Sequence, residues 1–181
     1  MRRTVTSLDD EYDRFIRPIE LQMMRSVWRI THNADDADDA FQEAIAQIWK
    51  SRQRIWQHAN PRAVILRICT QTACDILRRK MRNRHRGQAF DVTVIAAPEA
   101  DVAKLLLMDE QREAMKVAIA RLSEQQAIAV TMRYLMDCTF EEIAQGMDCA
   151  EATARVHVSR GLGCLRRLLA DMNPSSKQDR K

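Results

Sequence analysis

Hydrophobic residues recur every three or four positions along most of the chain, which is the spacing that one face of an α-helix requires. The first such stretch covers residues 8–30, and its apolar positions are Leu8, Tyr12, Phe15, Ile16, Ile19, Met23, Val27 and Ile30. Pro18 interrupts this stretch. Because proline fits the first turn of a helix and disfavours its interior, we predict two helices that meet near Arg17.

The next predicted helix begins at Asn33 and ends near Lys50. Asparagine is a favoured N-cap because its side chain can accept a hydrogen bond from the first turn. The apolar positions of this helix share one face and are Ala37, Phe41, Ala44, Ile45 and Ile48. The polar residues 51–59 follow, and we predict a loop there that contains Trp56 and His58.

A long basic helix is predicted from Asn60 to about Arg84, since an N-cap asparagine followed by Pro61 is a strong start signal. Its predicted buried residues are Val64, Ile65, Ile68, Thr72, Ala73, Ile76 and Leu77. The residues that lie largely outside this stripe are Arg62, Arg67, Gln71, Arg78, Arg79, Arg82 and Arg84. The helix should therefore have one apolar and one basic side.

The helical pattern stops after residue 86, where glycine, proline and a short apolar run indicate a linker. Four helices are predicted beyond it, and two of them have the sequence of a capping box, Ser123 with Gln126 and Thr139 with Glu142. The predicted units are an N-terminal domain at residues 1–86, a flexible linker at 87–101, a C-terminal domain at 102–172 and a polar tail at 173–181.

Composition and charge add a fold class and two kinds of surface. With 46% hydrophobic residues but only four glycines and four prolines, the chain favours an all-α fold of two small helical domains. The net charge of +4 is modest, but residues 33–49 carry five acids and no base, whereas residues 60–86 carry eight bases and one acid. One surface should repel phosphate and another attract it. The acids have a second interpretation, because carboxylates in a first turn also stabilise the helix dipole.

Patterns for catalysis, metal binding and membrane insertion are missing from the sequence. The five cysteines Cys69, Cys74, Cys138, Cys149 and Cys164 form no C-x-x-C pair, and we interpret them as core residues in a reducing cytoplasm rather than metal ligands. The histidines His32, His58, His85 and His157 have no zinc-type spacing, and there is no glycine-rich phosphate loop. We therefore predict a protein that is not an enzyme and holds no metal or cofactor. Without a signal peptide or an apolar run of ~18 residues, it should be cytoplasmic and not inserted in a membrane.

The C-terminal domain contains a helix-turn-helix pattern. Ile143 and Ala144 lie on its first helix, and residues 147–149 form the turn. The second helix has an apolar stripe at Ala154, Val158, Gly161, Leu165 and Leu168. The opposite side is formed by Arg155, Val156, Ser159 and Arg160. A recognition helix meets base edges with such a side, and arginine can pair with guanine through two hydrogen bonds. An ordinary solvated basic face is the alternative.

Two segments resemble known regions of one protein family. Residues 122–126, followed by Phe140-Glu141-Glu142-Ile143-Ala144 and the recognition helix, resemble region four of bacterial sigma factors. Residues 37–43 look like sigma region two, and residues 60–84 resemble its DNA-facing helix. With both motifs in order and only a short linker between them, residues 8–169 resemble a sigma factor of the extracytoplasmic-function class, also called group IV.

This resemblance implies that the chain directs core RNA polymerase to a promoter class and assists promoter melting. The residues implied in polymerase binding are Asp35, Asp38, Asp39, Gln42 and Glu43. Those implied at the minus-ten element and in melting are Trp56, Gln57, His58, Asn60, Arg67, Gln71, Arg78 and Arg79. Those implied at the upstream, minus-thirty-five element are Arg155, Val156, Ser159 and Arg160. The family also implies a linker inside the RNA exit channel and an anti-sigma factor as a further partner.

Several alternatives stay open at this point. Trp56 can serve either as a stacking surface for a flipped base or as a core residue that holds the loop. Val64, Leu66 and Thr70-Gln71 depart from the family pattern of the DNA-facing helix, which predicts an unusual promoter preference. A non-sigma regulator with a C-terminal helix-turn-helix is the alternative function, and it would bind duplex DNA without polymerase.

Overall fold

The computed structural model describes residues 8–85 and 102–172. Its helices are α1 (Leu8–Phe15), α2 (Glu20–Thr31), α3 (Ala34–Trp56), α4 (Pro61–His85), α5 (Val102–Arg121), α6 (Glu124–Tyr134), α7 (Phe140–Met147) and α8 (Glu151–Met172), with a 3-10 turn at Arg17–Ile19. No strand occurs in these two segments, so the predicted all-α fold is confirmed. The predicted linker at 87–101 and tail at 173–181 lie outside the described residues.

The N-terminal helices begin where their sequence signals indicate. Pro18 lies in the 3-10 turn that separates α1 from α2, as predicted. The Asn33 side chain accepts a hydrogen bond of 2.9 Å from the backbone N–H of Asp36. The Asn60 side chain accepts one of 3.0 Å from the N–H of Ala63. Both asparagine caps are therefore confirmed, because each satisfies a backbone donor that a helix start leaves without a partner.

Helix α3 is longer than the sequence pattern predicted, and the predicted end near Lys50 is wrong. The helix continues to Trp56, so Trp56 belongs to a helix rather than a loop. Its extension is held by Ile55, which is buried two turns beyond Ile48 on the same side. The polar residues 51–54 include arginine and glutamine, which are good helix formers. Only residues 57–60 remain as the connection to α4.

One of the two predicted capping boxes is present. The Thr139 side chain accepts a hydrogen bond of 3.1 Å from the N–H of Glu142, and the Glu142 carboxylate accepts one of 2.8 Å from the N–H of Thr139. The box at Ser123 is wrong, because Ser123 makes no side-chain cap. Gln126 packs against α8 beside Gly161 instead of reaching back to Ser123.

Helix α4 lies at the centre of the molecule. It packs on α2 and α3 on one side and on α5, α6 and α7 on the other. As a result Leu66, Cys69 and Thr70 are fully buried, although they lie outside the stripe predicted for a helix with one apolar side. A helix that touches both halves of a molecule is buried on more than one face, which a single stripe does not describe.

Two glycines allow helices to approach closely. A Cβ at Gly161 would come within 2.5 Å of the Val130 side chain on α6. A Cβ at Gly146 of α7 would lie 2.8 Å from the carbonyl oxygen of Ala63 on α4. Both distances are shorter than any contact that a real Cβ atom makes. Gly161 therefore allows the close spacing of α6 and α8 in the C-terminal half, and Gly146 allows that of α4 and α7, which belong to different halves.

The cysteines occupy the positions expected of core residues. Cys69, Cys74 and Cys138 are buried, and Cys149 and Cys164 are half-buried. Burial raises the pKa of the Cys69 and Cys74 thiols to about 12 and that of Cys138 to about 11. These three thiols therefore stay protonated and unreactive at neutral pH. Within residues 8–85 and 102–172 there is no cluster of three metal-ligating side chains, and no helix there is long and apolar enough to cross a membrane.

Candidate nucleic-acid and polymerase interfaces

The helix-turn-helix has the geometry that the sequence predicts. Asp148 ends α7 with a left-handed φ of 53°, and its N–H bonds to carbonyls of the last turn. The predicted inner stripe of α8 is buried at Ala154, Val158, Gly161 and Leu165. The predicted outer residues Arg155, Val156, Ser159 and Arg160 are all exposed. The structure thus places the four candidate upstream-element residues on the free side of the second helix.

Arg155 is held in a defined orientation on this free side. Its guanidinium lies 4.3 Å from the centroid of the Phe140 ring and donates to the Glu151 carboxylate at 2.5 Å. The Arg133 guanidinium lies 5.0 Å from the centroid of the same ring. The sequence pattern identified Phe140 only as part of the family motif, because contact with Arg155 depends on the angle between α7 and α8.

Arg160 borders an open depression beside the recognition helix. The depression has a volume of about 360 Å³ and is lined by Gln126, Arg160, Gly163, Cys164 and Arg167. Two arginines on its rim make it basic. Guanidinium groups in such a position suit phosphate oxygens, which position a protein on DNA without reading its sequence.

The acidic side chains of α3 divide into exposed and paired groups. Asp35, Asp38, Asp39 and Gln42 are exposed. Asp36 is buried and pairs with Lys80 of α4, its carboxylate 2.5 Å from the ammonium nitrogen. The exposed acids form the surface that the resemblance assigns to polymerase, whereas the buried Asp36 joins α3 to α4.

Glu43 and Arg79 form a second link between α3 and α4. One guanidinium nitrogen of Arg79 lies 2.8 Å from both carboxylate oxygens of Glu43. The hydrogen bond that Arg79 donates to Glu43 raises the pKa of Arg79, which remains charged. The structure therefore brings the expected DNA-binding residue Arg79 next to an expected polymerase-binding residue.

The segment around the end of α3 is shaped by Trp56. Its ring stacks on Phe15 with a centroid distance of 4.3 Å and an interplanar angle of 4°. Its indole N–H donates to the Glu11 carboxylate at 3.1 Å, and its ring meets Trp49 edge to face. In this structure Trp56 packs α1 against α3. This agrees with the interpretation of Trp56 as a core residue that holds the segment.

The connection before α4 presents few free groups. Gln57 is exposed, whereas His58 is half-buried and its Nδ1 accepts a hydrogen bond of 3.0 Å from the N–H of Asn60. The Asn60 side-chain amide donates to the Gln145 side chain of α7 at 2.7 Å. Asn60 is thus engaged at both ends of its side chain, by the cap of α4 and by the C-terminal half.

Three other candidates on α4 face the start of α6. Arg67 donates to the Gln71 side chain at 2.9 Å, and Gln71 donates to the Glu124 carboxylate at 2.9 Å. Arg78 donates to the carbonyl oxygen of Leu122 at 3.4 Å. Burial lowers the pKa of Arg67, although the group stays charged at neutral pH. Arg67, Gln71 and Arg78 thus lie on the face of α4 that is turned towards α6. Arg79 lies on a different face, where it contacts Glu43 of α3.

An ion pair that the sequence did not indicate joins the two halves. Arg62 of α4 lies 2.6 Å from the Glu142 carboxylate of α7. The hydrogen bond from the Thr139 backbone and the charge of Arg62 lower the pKa of Glu142. Glu142 was recognisable as a helix cap, but its second partner is 80 residues away in the sequence and no local pattern points to it.

Comparison with known families defines the class of protein. The model of Sigma-70 region 2 matches residues 16–83, and the model of Sigma-70, region 4 matches residues 112–170. The chain therefore belongs to the sigma-70 family of sigma factors, a family of regulatory proteins without catalytic activity. A non-sigma regulator would share only the C-terminal helix-turn-helix, whereas here region 2 also matches most of the N-terminal half. The comparisons therefore give no support to that alternative.

Its relatives belong to the extracytoplasmic-function class, and the resemblance predicted from the sequence is confirmed. The chain is 23% identical over 167 residues to the ECF RNA polymerase sigma factor SigE of Mycolicibacterium smegmatis, covering 92% of this chain and 65% of that protein. It is 28% identical over 142 residues to the ECF RNA polymerase sigma factor SigJ of Mycobacterium tuberculosis, covering 76% of this chain and 45% of that protein. The chain thus spans less than two thirds of the length of either relative.

A solved structure supports the fold. The sigma factor RpoE of Bartonella quintana, determined in complex with the anti-sigma factor NepR, matches with a TM-score of 0.52 and 19% identity. The match covers 94% of this chain and 99% of the solved one. The match therefore supports the all-α fold of the chain.

Proposed function

We propose that this chain directs core RNA polymerase to a dedicated class of promoters and assists the opening of promoter DNA. The observation that carries the proposal is the presence, in one chain, of an exposed acidic surface on α3 and an exposed recognition helix α8, within the segments matched by regions 2 and 4. A regulator that binds duplex DNA alone would need only the second surface.

The polymerase contact is assigned to α3. Its proposed residues are Asp35, Asp38, Asp39, Gln42 and Glu43, of which the first four are exposed and Glu43 is paired with Arg79. Exposed carboxylates speed and orient docking to a basic partner more than they strengthen the final complex. In this proposal the chain contributes no chemical step and needs no cofactor.

Promoter recognition is divided between the halves. On α8, Arg155 and Arg160 are proposed to reach guanine edges or phosphates, while the small Ser159 lets the helix lie deep in the major groove and Val156 makes an apolar contact. On the N-terminal half, Arg67, Gln71, Arg78 and Arg79 are proposed to follow the DNA backbone beside the melted bases. Unstacking a base costs a few kcal/mol, which a protein pocket can offset.

The residue that meets a flipped base is proposed to lie among Trp56, Gln57, His58 and Asn60. In the described arrangement Gln57 is the exposed member of this group, whereas Trp56 is stacked on Phe15. The proposal extends to domains at 1–86 and 102–172, a linker at 87–101 that threads the RNA exit channel, and a tail at 173–181. It also includes a cytoplasmic location and an anti-sigma factor as a further partner.

Reconstitution with core polymerase tests the proposal. Core enzyme plus this chain should protect a defined set of genomic promoter fragments and start transcription from them, whereas the chain alone should not. Arg155→Ala and Arg160→Ala should weaken protection of the upstream element and leave association with core unchanged. If the chain fails to bind core polymerase at moderate salt, the proposed function is wrong; if the two variants lose core binding, the assignment of the α8 surface is wrong.

A further inference from the structure

One apolar side chain is exposed among the polar residues of the recognition helix. Val156 is 43% exposed and lies on the outer side of α8 beside Arg155. Ser159 and Arg160 follow one turn later and are exposed as well. The hydrophobic core includes Val158 of this helix but not Val156. Because valine is also a poorer helix former than alanine or leucine, neither core packing nor helix stability accounts for a valine at this position.

The surroundings of Val156 leave its methyl groups accessible. The guanidinium of Arg155 is directed to the Phe140 ring and to the Glu151 carboxylate, which lies one turn nearer the start of α8. Ser159, one turn after Val156, has a short side chain. In a helix the β-branched valine has one strongly preferred rotamer. Its two methyl groups are therefore held in one orientation before any DNA binds.

The major groove offers such a side chain one apolar partner. Adenine, guanine and cytosine present hydrogen-bond donors or acceptors on their major-groove edges, whereas thymine also presents its C5-methyl group. Valine placed against a polar edge would remove water from a donor or acceptor without replacing the lost hydrogen bond, which costs free energy. Contact with the thymine methyl group removes apolar surface from water instead, which is favourable. The chemistry of Val156 thus matches thymine and no other base.

We infer that Val156 selects a thymine in the upstream promoter element by contact with its C5-methyl group. This inference rests on the proposed function and deepens it, because it names the chemical group that the apolar residue of the α8 surface recognises. The arginines of the same surface bind through hydrogen bonds and charge, which a methyl group cannot satisfy. Selection of thymine is therefore a separate part of promoter recognition that depends on Val156.

Deoxyuridine tests the inference, because it differs from thymidine only in lacking this methyl group. The probe is the labelled promoter duplex that the holoenzyme protects, with each thymine of its upstream element replaced in turn by deoxyuridine. Equilibrium binding of holoenzyme is measured by anisotropy at one salt concentration, since phosphate contacts make the affinity for DNA depend on salt. The holoenzymes compared contain the natural chain, Val156→Ala or Met172→Ala.

Met172→Ala is the matched control for Val156→Ala. Met172 is another exposed apolar residue of α8, with an exposed fraction of 37%. It lies ~24 Å further along the helix axis, at the end of α8. Both substitutions shorten an exposed apolar side chain to alanine, which is the best helix former. Both variants should therefore fold, and they differ in whether the lost side chain lies beside the residues proposed to contact DNA.

Deoxyuridine at one position of the upstream element should weaken binding of the natural holoenzyme roughly 3- to 4-fold, the effect of one buried methyl group. Val156→Ala should weaken binding to the thymine duplex by a similar factor and bind the two duplexes nearly equally. Met172→Ala should distinguish them as the natural chain does. The inference is overturned if the natural holoenzyme is indifferent at every thymine, if the upstream element contains no thymine, or if Val156→Ala keeps the full difference.

Failure of this inference is distinct from failure of the proposed function. A holoenzyme that protects its promoter and initiates transcription, yet binds every deoxyuridine duplex as well as the thymine duplex, retains the proposed function. Only the selection of thymine by Val156 is then excluded. If the chain does not bind core polymerase, the proposed function is wrong and the inference is overturned with it.

Discussion

The guanidinium of Arg155 lies over the ring of Phe140, with 4.3 Å between its central carbon and the ring centroid. An arginine side chain has many rotamers, and holding one of them before binding reduces the entropy lost on the DNA. Phe140 is itself held at the first position of α7 by the Thr139 capping box. The first helix of the motif thereby orients a side chain of the second.

Loss of this aromatic face should weaken recognition of the upstream element. Phe140→Leu keeps an apolar side chain but removes a cation–π contact worth about 0.5–1 kcal/mol, so affinity for a promoter duplex should fall roughly 2- to 5-fold. Phe140→Tyr should be nearly neutral. Binding of the holoenzyme to a footprinted promoter fragment measures both. In an Arg155→Ala background Phe140→Leu should have no further effect, and additive losses would contradict an orienting role.

Neutralising the exposed acids of α3 should weaken the polymerase complex. For Asp38→Asn/Asp39→Asn we expect an affinity for core polymerase at least about fivefold lower at low salt, with a smaller difference at high salt, because exposed charges are screened. Equilibrium binding to labelled core enzyme measures this change. Asp109→Asn/Glu110→Gln serves as the control of equal charge. Equal losses in both variants would mean that total charge, rather than this surface, determines docking.

Removing the Trp56 ring should destabilise the N-terminal half. Trp56→Ala deletes its contacts with Phe15 and Trp49, and since the side chain is only half-buried we expect a loss of about 2–3 kcal/mol in the free energy of unfolding. Trp56→Phe keeps an aromatic ring and loses the hydrogen bond to Glu11, for a cost of about 1 kcal/mol. Urea denaturation of the full chain measures both. Unchanged stability in Trp56→Ala would show that the ring is free for a flipped base.

Acid should weaken the link between Arg62 and Glu142. The pKa of Glu142 is lowered in the folded chain from its ordinary value of 4.5, through the Thr139 backbone hydrogen bond and the charge of Arg62. Its ionised form therefore stabilises the fold at pH values above about 4.5, and this contribution is lost as the pH falls through the lowered pKa. Urea unfolding of the natural chain and of Glu142→Gln should differ above that range and converge below it. A constant difference across this range would contradict the assignment.

Local signals in the sequence were sufficient for most of the helices and for the orientation of α8. The caps at Asn33, Asn60 and Thr139 involve residues within three positions of one another, and the alternation of Ala154 and Arg155 between the inside and outside follows from helical periodicity alone. Reliance on local signals also explains why the predicted end of α3 near Lys50 was wrong. The polar residues 51–54 show no apolar periodicity, although they are helical.

Only the tertiary structure decided which surfaces of α4 are covered. Its sequence has a single apolar stripe, yet Leu66, Cys69 and Thr70 are buried because a second layer of helices packs on it. Likewise Phe140 reaches Arg155, and Arg62 reaches Glu142, through the relative placement of whole helices. Helix formation and capping depend on residues a few positions apart, whereas such contacts depend on how distant segments pack, so the sequence determined the elements and the packing determined their partners.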